Sequence, residues 1–369
     1  MSIGHDGDGE RSDFSDFSLR ATKRQASAQP VRHGLDFIMP SKNLSRSNGG
    51  HRYRCALGVC PHICRGLDVV ERTAQEMESR RAQRAERRQK QRDANVARAL
   101  AMHEVRMSTK KRATIAATSD EVIGGVHVGC SGWYYWHWKG AFYPADVPSS
   151  QMFAIYQGHF ETVELNAPFY SWPTIAAVRT WIRQAEPGFV YTIKVCELVT
   201  HIRRFEETKS LIEDFYYIAD LLGPQMGCFL FQLPPSAHYS PEMLHSILSQ
   251  LDARRRNVVE FRHKSWWNEE VFLAFKAAGV IFCSCSAPRL PDELVKTSED
   301  IYIRFHGTEK WYRQNYSDAE LRVWAERIRC CGAQTVWAYF NNDRDGYAIE
   351  NARRLTELLK SPSQQSAIS

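Results

Sequence analysis

NVVEFRH, residues 257–263, opens on β-branched apolar residues and closes on alternating charges. A strand buried on both faces reads as a near-continuous apolar run, and charge enters where the strand reaches water. The same form recurs at VHVGCSGW (126–133), TVELNAPFY (162–170), FVYTIKVCEL (189–198), MGCFLFQLPP (226–235), VIFCSCS (280–286), IYIRFHG (301–307) and TVWAYFNND (335–343). Most of the seven intervals between these eight runs carry a helical pattern. Eightfold strand–helix alternation predicts a (β/α)₈ TIM barrel, with the polar residues at the strand C-termini converging on one mouth.

Start signals support the helices. Ser149–Ser150 precede QMFAIYQGHF, Thr174 opens IAAVRTWIRQA, and Ser240–Pro241 puts Pro in the first turn before EMLHSILSQL. Ser317 with Glu320 forms a capping-box pattern ahead of LRVWAERIR. Residues 208–222, 268–278 and 349–360 fill three further helices, and the sixth interval has room for at most one short one.

A barrel of about 250 residues is a single domain, and the expected boundaries are 121–362. Residues 1–120 read as a basic extension. Within it, 1–68 lack periodicity and are expected to be disordered. Residues 69–106 are rich in Ala, Arg, Glu and Gln and predict a solvated helix with no docking face. Met107 opens a polar lead into the first strand and would serve as the start of the working protein. Cys55, Cys60 and Cys64 lie near His51 and His62, but their spacing fits no common zinc pattern, and they are read as thiols without a metal role.

Charge divides unevenly. Residues 1–120 hold 23 Lys/Arg against 14 Asp/Glu, a net +9, and the remainder holds 25 against 28, a net −3, together the chain's +6. A generally basic surface on the barrel is therefore not expected. No apolar run approaches the roughly 18 residues of a membrane span, and the N-terminus has no signal-peptide core. The 10 cysteines are read as reduced thiols in a cytoplasmic protein. Cys283 and Cys285 are expected as small buried hydrophobes on one strand face.

GCSGWYYWHWKGAFYP, VELNAPFY, FLFQLPP, EFRHKSWW, RFHG and YFNNDRDGYAIENA resemble, in this order, the signature segments of the YecE-like family, domain of unknown function 72. The resemblance runs from about Gly129 to Leu359. It implies a TIM barrel related in shape to xylose-isomerase-like and endonuclease-IV-like barrels, and it supplies no activity. Ala167 stands where many members carry Ser or Thr, a subgroup variation.

Side chains two apart on a strand share a face. Glu164/Asn166, Glu260/Arg262, Arg304/His306 and Tyr339/Asn341 are such pairs near strand ends, joined by Lys194, Gln232 and, just beyond strand eight, Asn342 and Asp343. Charges inside strands are costly unless paired or solvated at the mouth. Lys194, Arg262 and Arg304 against Glu164 and Glu260 suit an anionic substrate. Glu164 or Glu260 would act as general base and His306 as acid. Trp133, Tyr170, His263, Trp266 and Tyr312 would line the substrate, where aromatic rings could stack on bases or sugars.

A divalent metal is the competing reading, but cationic neighbours would repel it, and no metal or cofactor is expected. No glycine-rich nucleotide loop, Ser elbow or H-E-x-x-H motif occurs. The expectation is an enzyme, such as a phosphate-ester hydrolase, acting on a phosphate-bearing, nucleotide or nucleic-acid substrate at the C-terminal barrel mouth. The alternatives are a non-catalytic module for nucleic acid or an anionic metabolite, and a carbohydrate-active enzyme or isomerase.

Overall fold

The computed structural model describes residues 61–112 and 124–360. Eight strands follow one another as β1 (Gly125–Cys130), β2 (Thr162–Leu165), β3 (Val190–Lys194), β4 (Met226–Gln232), β5 (Asn257–Glu260), β6 (Ile281–Ser286), β7 (Asp300–Phe305) and β8 (Thr335–Phe340). Every pairing is parallel, in the order β1-β8-β7-β6-β5-β4-β3-β2. The Tyr156 hydroxyl bridges the seam between β1 and β2. It accepts from Cys130 N at 2.9 Å and donates to Thr162 O at 3.0 Å. Gly129 is required there, since a Cβ would lie 2.4 Å from Thr162 O.

The helices are α1 (Pro61–Arg112), α2 (Met152–Gln157), α3 (Ala167–Tyr170), α4 (Ile175–Gln184), α5 (Lys209–Leu222), α6 (Pro241–Leu248), α7 (Glu269–Ala278), α8 (Asp318–Cys330) and α9 (Tyr347–Lys360). Their starts are where the sequence places them. Thr174, Ser240 and Asn268 accept from the backbone three residues on, and Ser317 with Glu320 closes a full capping box. The sixth interval forms no helix. It is an extended segment pinned by Ser284 Oγ, which accepts from Val295 N, and Thr297 Oγ1, which accepts from Phe282 N, each at 2.9 Å.

Two apolar cores result. One fills the barrel with residues such as Leu230, Ile281, Cys283, Cys285, Tyr302, Trp337 and Tyr339. The other lies between strands and helices and includes Phe229, Phe231, Phe261, Trp266 and Phe275. Alternation along each strand divides the residues between the two cores, and charges at inward positions near strand ends must meet one another.

The helix before the barrel departs from expectation. Residues 75–90 are exposed, as a solvated helix should be, but 91–109 pack on the barrel. Asn95, Ala99, Met102 and Arg106 are buried there. The Asn95 amide donates to Tyr170 O at 3.1 Å and accepts from Trp172 N at 2.9 Å, and Gln91 also donates to Tyr170 O, at 2.9 Å. Arg98 donates to Ser171 Oγ at 2.7 Å, and Arg106 Nε reaches Asp214 on α5 at 2.7 Å. Polar Asn95 and Arg106 share the docking face with Ala99 and Met102, so apolar periodicity alone does not reveal it. Met107 lies inside this docked helix, downstream of most of its contacts. The side chains of Cys55, Cys60, Cys64, His51 and His62 fall outside the described residues.

Candidate functional site

Glu164, Glu260, Arg262, Arg304 and His306 meet at the C-terminal end of the barrel. Arg304 on β7 is buried and bridges two buried carboxylates, with 2.5 Å to Glu164 Oε1 and 2.6 Å to Glu260 Oε2. Strand register explains this, because β5 sets Glu260 beside Gln232 of β4 and β7 sets Arg304 beside Cys285 of β6. Glu164 also accepts from Ser131 Oγ at 2.7 Å and from Tyr302 OH at 2.5 Å.

Glu260 is more crowded. Arg262 Nε lies against its Oε1 as an ion pair without the alignment of a hydrogen bond. His306 Nε2 is 3.3 Å from the same oxygen and 3.2 Å from Arg262 Nη2, while Nδ1 faces the Asn341 amide at 3.4 Å. The Arg262 guanidinium is also stacked on Trp311, 4.6 Å from the ring centroid. Trp311 sits in a turn where Tyr312 holds φ +65° and donates its N–H to His306 O at 2.7 Å. Gly307 allows that turn at φ +95°, since a Cβ there would lie 2.7 Å from Lys310 O.

Lys194 differs from the other cations. It ends β3 with 8% of its surface exposed, and its Nζ lies 4.0 Å from the centroid of the Phe169 ring. Among the described residues no carboxylate forms an ion pair with it.

These surroundings decide protonation. Burial opposes the charge on Glu260, but Arg262 and Arg304 more than offset it and hold the carboxyl well below its usual range. Burial, aided by Arg262, keeps His306 neutral far below the ordinary imidazole value. Burial and then Arg304 bring Lys194 down to about 7. His201, edge-on to Phe169 at 4.9 Å, is brought to about 4 by burial and then by Lys194. The expected assignment of His306 as acid thus meets a neutral imidazole, and Glu260 as base meets a carboxylate saturated with cations. The group balanced near neutrality is Lys194.

Several expected site residues lie elsewhere. Trp266 is buried between strand and helix, stacked on Phe261 at 3.9 Å and donating to Ala237 O. Asn342 is buried toward α9 and bonded to Asn351 and Gln314 O. Trp133 packs on Phe153, and His263 stacks on His238 at 3.8 Å. Gln232 and Asn166 stay beside the cluster: Gln232 is the register partner of Glu260 and its amide donates to Leu233 O, and Asn166 donates at 3.1 Å to the main chain of Ser131, whose hydroxyl holds Glu164. Asp343 is turned toward His137 at 4.0 Å, and burial raises its pKa. Tyr170 and Tyr312 do stand on the rim, 62% and 39% exposed.

Sequence reading missed Ser131, Tyr302, Cys285 and His201. Tyr302 was accessible, lying two residues before Arg304 and so on the same strand face. Cys285 brings its Sγ within 3.7 Å of Glu260, and the donor atoms of Glu260, Cys285 and His306 lie within 4.8 Å of one another. A soft divalent ion could use that trio only by displacing Arg262 from Glu260.

Residues 127–368 match the family described as a protein of unknown function, DUF72. The chain belongs to the DUF72 family. Among its relatives is the UPF0759 protein YunF of Bacillus subtilis (strain 168), 26% identical over 270 residues, spanning 63% of this chain and 94% of that protein. The crystal structure of a DUF72 family protein (TM1631) from Thermotoga maritima MSB8 superposes with a TM-score of 0.59 at 27% identity, covering 64% of this chain and 99% of that one. A second DUF72 family protein (EF0366), from Enterococcus faecalis V583, shares the fold with a TM-score of 0.56 at 18% identity, over 65% and 97% of the two chains. The DUF72 match begins at residue 127, so α1 lies outside the shared barrel. No helix among the described residues is long and apolar enough to cross a membrane.

Proposed function

We propose that this DUF72 protein is an enzyme acting on a phosphate-bearing substrate, a nucleotide or a nucleic acid, held at the barrel mouth. The observation that carries the reading is Lys194, a buried amine with no ion-pair partner among the described residues, beside two carboxylates already taken up by Arg304 and Arg262. A buried cation without a counter-ion is costly, and an incoming anion relieves that cost. The Nε–H groups of Arg262 and Arg304 also lack aligned acceptors. In this reading Lys194 and Arg262 receive the phosphate oxygens, Glu164 and Glu260 hold Arg304 and Arg262 in place, and Lys194 exchanges the proton.

A carbohydrate hydrolase is less well supported, because it needs one carboxyl protonated as acid. Glu260 is held ionised, and Glu164 accepts from Ser131, Tyr302 and Arg304. The same saturation favours a second reading, a non-catalytic module for anions. A thermal-shift screen of phosphates, nucleotides and sugars, with and without divalent metal, tests the proposal. Stabilisation by phosphate compounds alone, followed by turnover of one of them, is the expected result. Stabilisation by sugars alone would refute the phosphate reading, and binding without turnover of any phosphate compound would favour the module.

A further inference from the structure

Helix α1 carries a second cationic feature, separate from the mouth. Arg80, Arg81, Arg84, Arg87 and Arg88 are all exposed, and among the described residues none has an ion-pair or hydrogen-bond partner. At 100° per residue they fall within an arc of about 120°. The same arc contains Gln91, Asn95, Arg98, Ala99, Met102 and Arg106, the side that docks on the barrel. Glu86, Asp93 and Glu104, the acids of residues 80–106, lie outside it, and Glu86 and Asp93 are engaged with Lys90 and Gln89.

The direction of the helix gives the arc its meaning. Gln91 and Asn95 meet Tyr170 at the mouth rim, whereas Arg106 meets Asp214, further along α5 and away from the rim. The chain therefore runs down the barrel wall from the rim, and residues before Gln91 project beyond it. At 1.5 Å per residue, the arginines stand about 5–17 Å past the rim. The face that meets the barrel below the rim continues above it toward the space over the mouth.

We propose that α1 is a nucleic-acid-binding arm whose five arginines take the phosphate backbone of a single strand lying across the barrel mouth. Arg80 and Arg84, one turn apart, are about 6 Å apart along the axis, a step suited to successive phosphates of an extended strand. The rim beneath offers exposed rings at Trp136 (81% exposed), Tyr134 and Tyr170, on which unpaired bases can stack. These rings favour a single strand over a duplex, whose bases are already stacked. The arm stands on its own observations. That the strand meets Lys194 rests on the reading of the mouth given above.

The test is fluorescence anisotropy of the full chain with a labelled single-stranded 15-mer across a potassium chloride series. Replacing the five arginines by Gln keeps helix propensity. It is expected to leave melting unchanged, weaken binding at least tenfold at low salt, and flatten the salt dependence, since each phosphate contact on a single strand contributes about 0.7 to the slope. Trp136→Ser is expected to weaken binding with the slope retained. Equal affinity and slope in the five-fold variant, or tighter binding of the matching duplex, would overturn the proposal. Lys194→Met separates the two readings through inorganic phosphate. Loss of phosphate binding belongs to the mouth; an oligonucleotide slope lowered in that variant by no more than the roughly 0.7 of a single contact supports the arm as a distinct site, and a slope lowered as far as in the five-fold variant would overturn it.

Discussion

Replacing Arg304 by Met should be the most damaging single change at the mouth, with a cost that depends on pH. Arg304 is 1% exposed and is the cation that bridges Glu164 and Glu260. With Met in its place Glu260 still has Arg262, but Glu164 keeps only the hydroxyls of Ser131 and Tyr302. Removing one partner of a buried ion pair costs about 3–5 kcal/mol. For a domain of this size each kcal/mol moves the midpoint by about 2–4 °C, so the expected loss is roughly 6–20 °C at pH 8. The pH dependence follows from linkage. In the wild type Glu260 is depressed, so its contribution is present above the ordinary carboxyl range and lost only as pH falls through the lower folded value. Without Arg304 a stranded carboxyl takes up a proton more readily, and the difference between variant and wild type should shrink from pH 8 to pH 5. Thermal melts at the two pH values measure this. A loss under 2 °C at pH 8, or a deficit that grows toward pH 5, would refute the reasoning.

Three further outcomes are expected. A chain beginning at Met107 should melt several degrees below the full chain, and Asp214→Ala in the full chain should reproduce part of the loss by removing the carboxylate shared by Arg106 and His103, which leaves buried Arg106 with Glu213; equal midpoints by calorimetry would mean that α1 does not dock. Because Lys194 is lowered to about 7, the lysine binds more protons in the unfolded chain between there and its ordinary value, so the stability of wild type relative to Lys194→Met should rise with pH across that window in urea titrations. Purified protein should carry less than about one equivalent of divalent metal, with melting unchanged by chelation; stoichiometric zinc lost together with stability would overturn this, and its loss in Cys285→Ser would assign it to Glu260, Cys285 and His306.

Much of the barrel was legible because local signals and period agree. NVVEFRH and its seven counterparts are apolar with charged ends, and Thr174, Ser240, Asn268 and Ser317 cap the helices between them. Inward charges at Glu164, Glu260, Arg304 and His306 were legible for the same reason, since inward positions alternate. Their pairing was not, because Arg304 meets a carboxylate 140 residues away, and contact at that separation leaves no local trace. Loop aromatics were over-read. Trp266 and Trp133 follow strand ends, yet their rings turn outward into the helix layer. The docking of α1 was not legible because Asn95, Arg98 and Arg106 share its face with Ala99 and Met102, and their hydrogen bonds and ion pairs interrupt any hydrophobic period.

The central claim is that Lys194 is the uncompensated cation of an anion-accepting mouth. The most direct measurement is calorimetric titration of inorganic phosphate into wild type and Lys194→Met at pH 8, each also melted without ligand. The account predicts that wild type takes up protons on binding phosphate, that Lys194→Met binds at least about tenfold more weakly, and that the variant melts at or above the wild-type temperature. Undiminished phosphate binding by Lys194→Met, together with a large loss of melting temperature, would contradict the account and make the lysine part of the barrel's internal salt-bridge lattice.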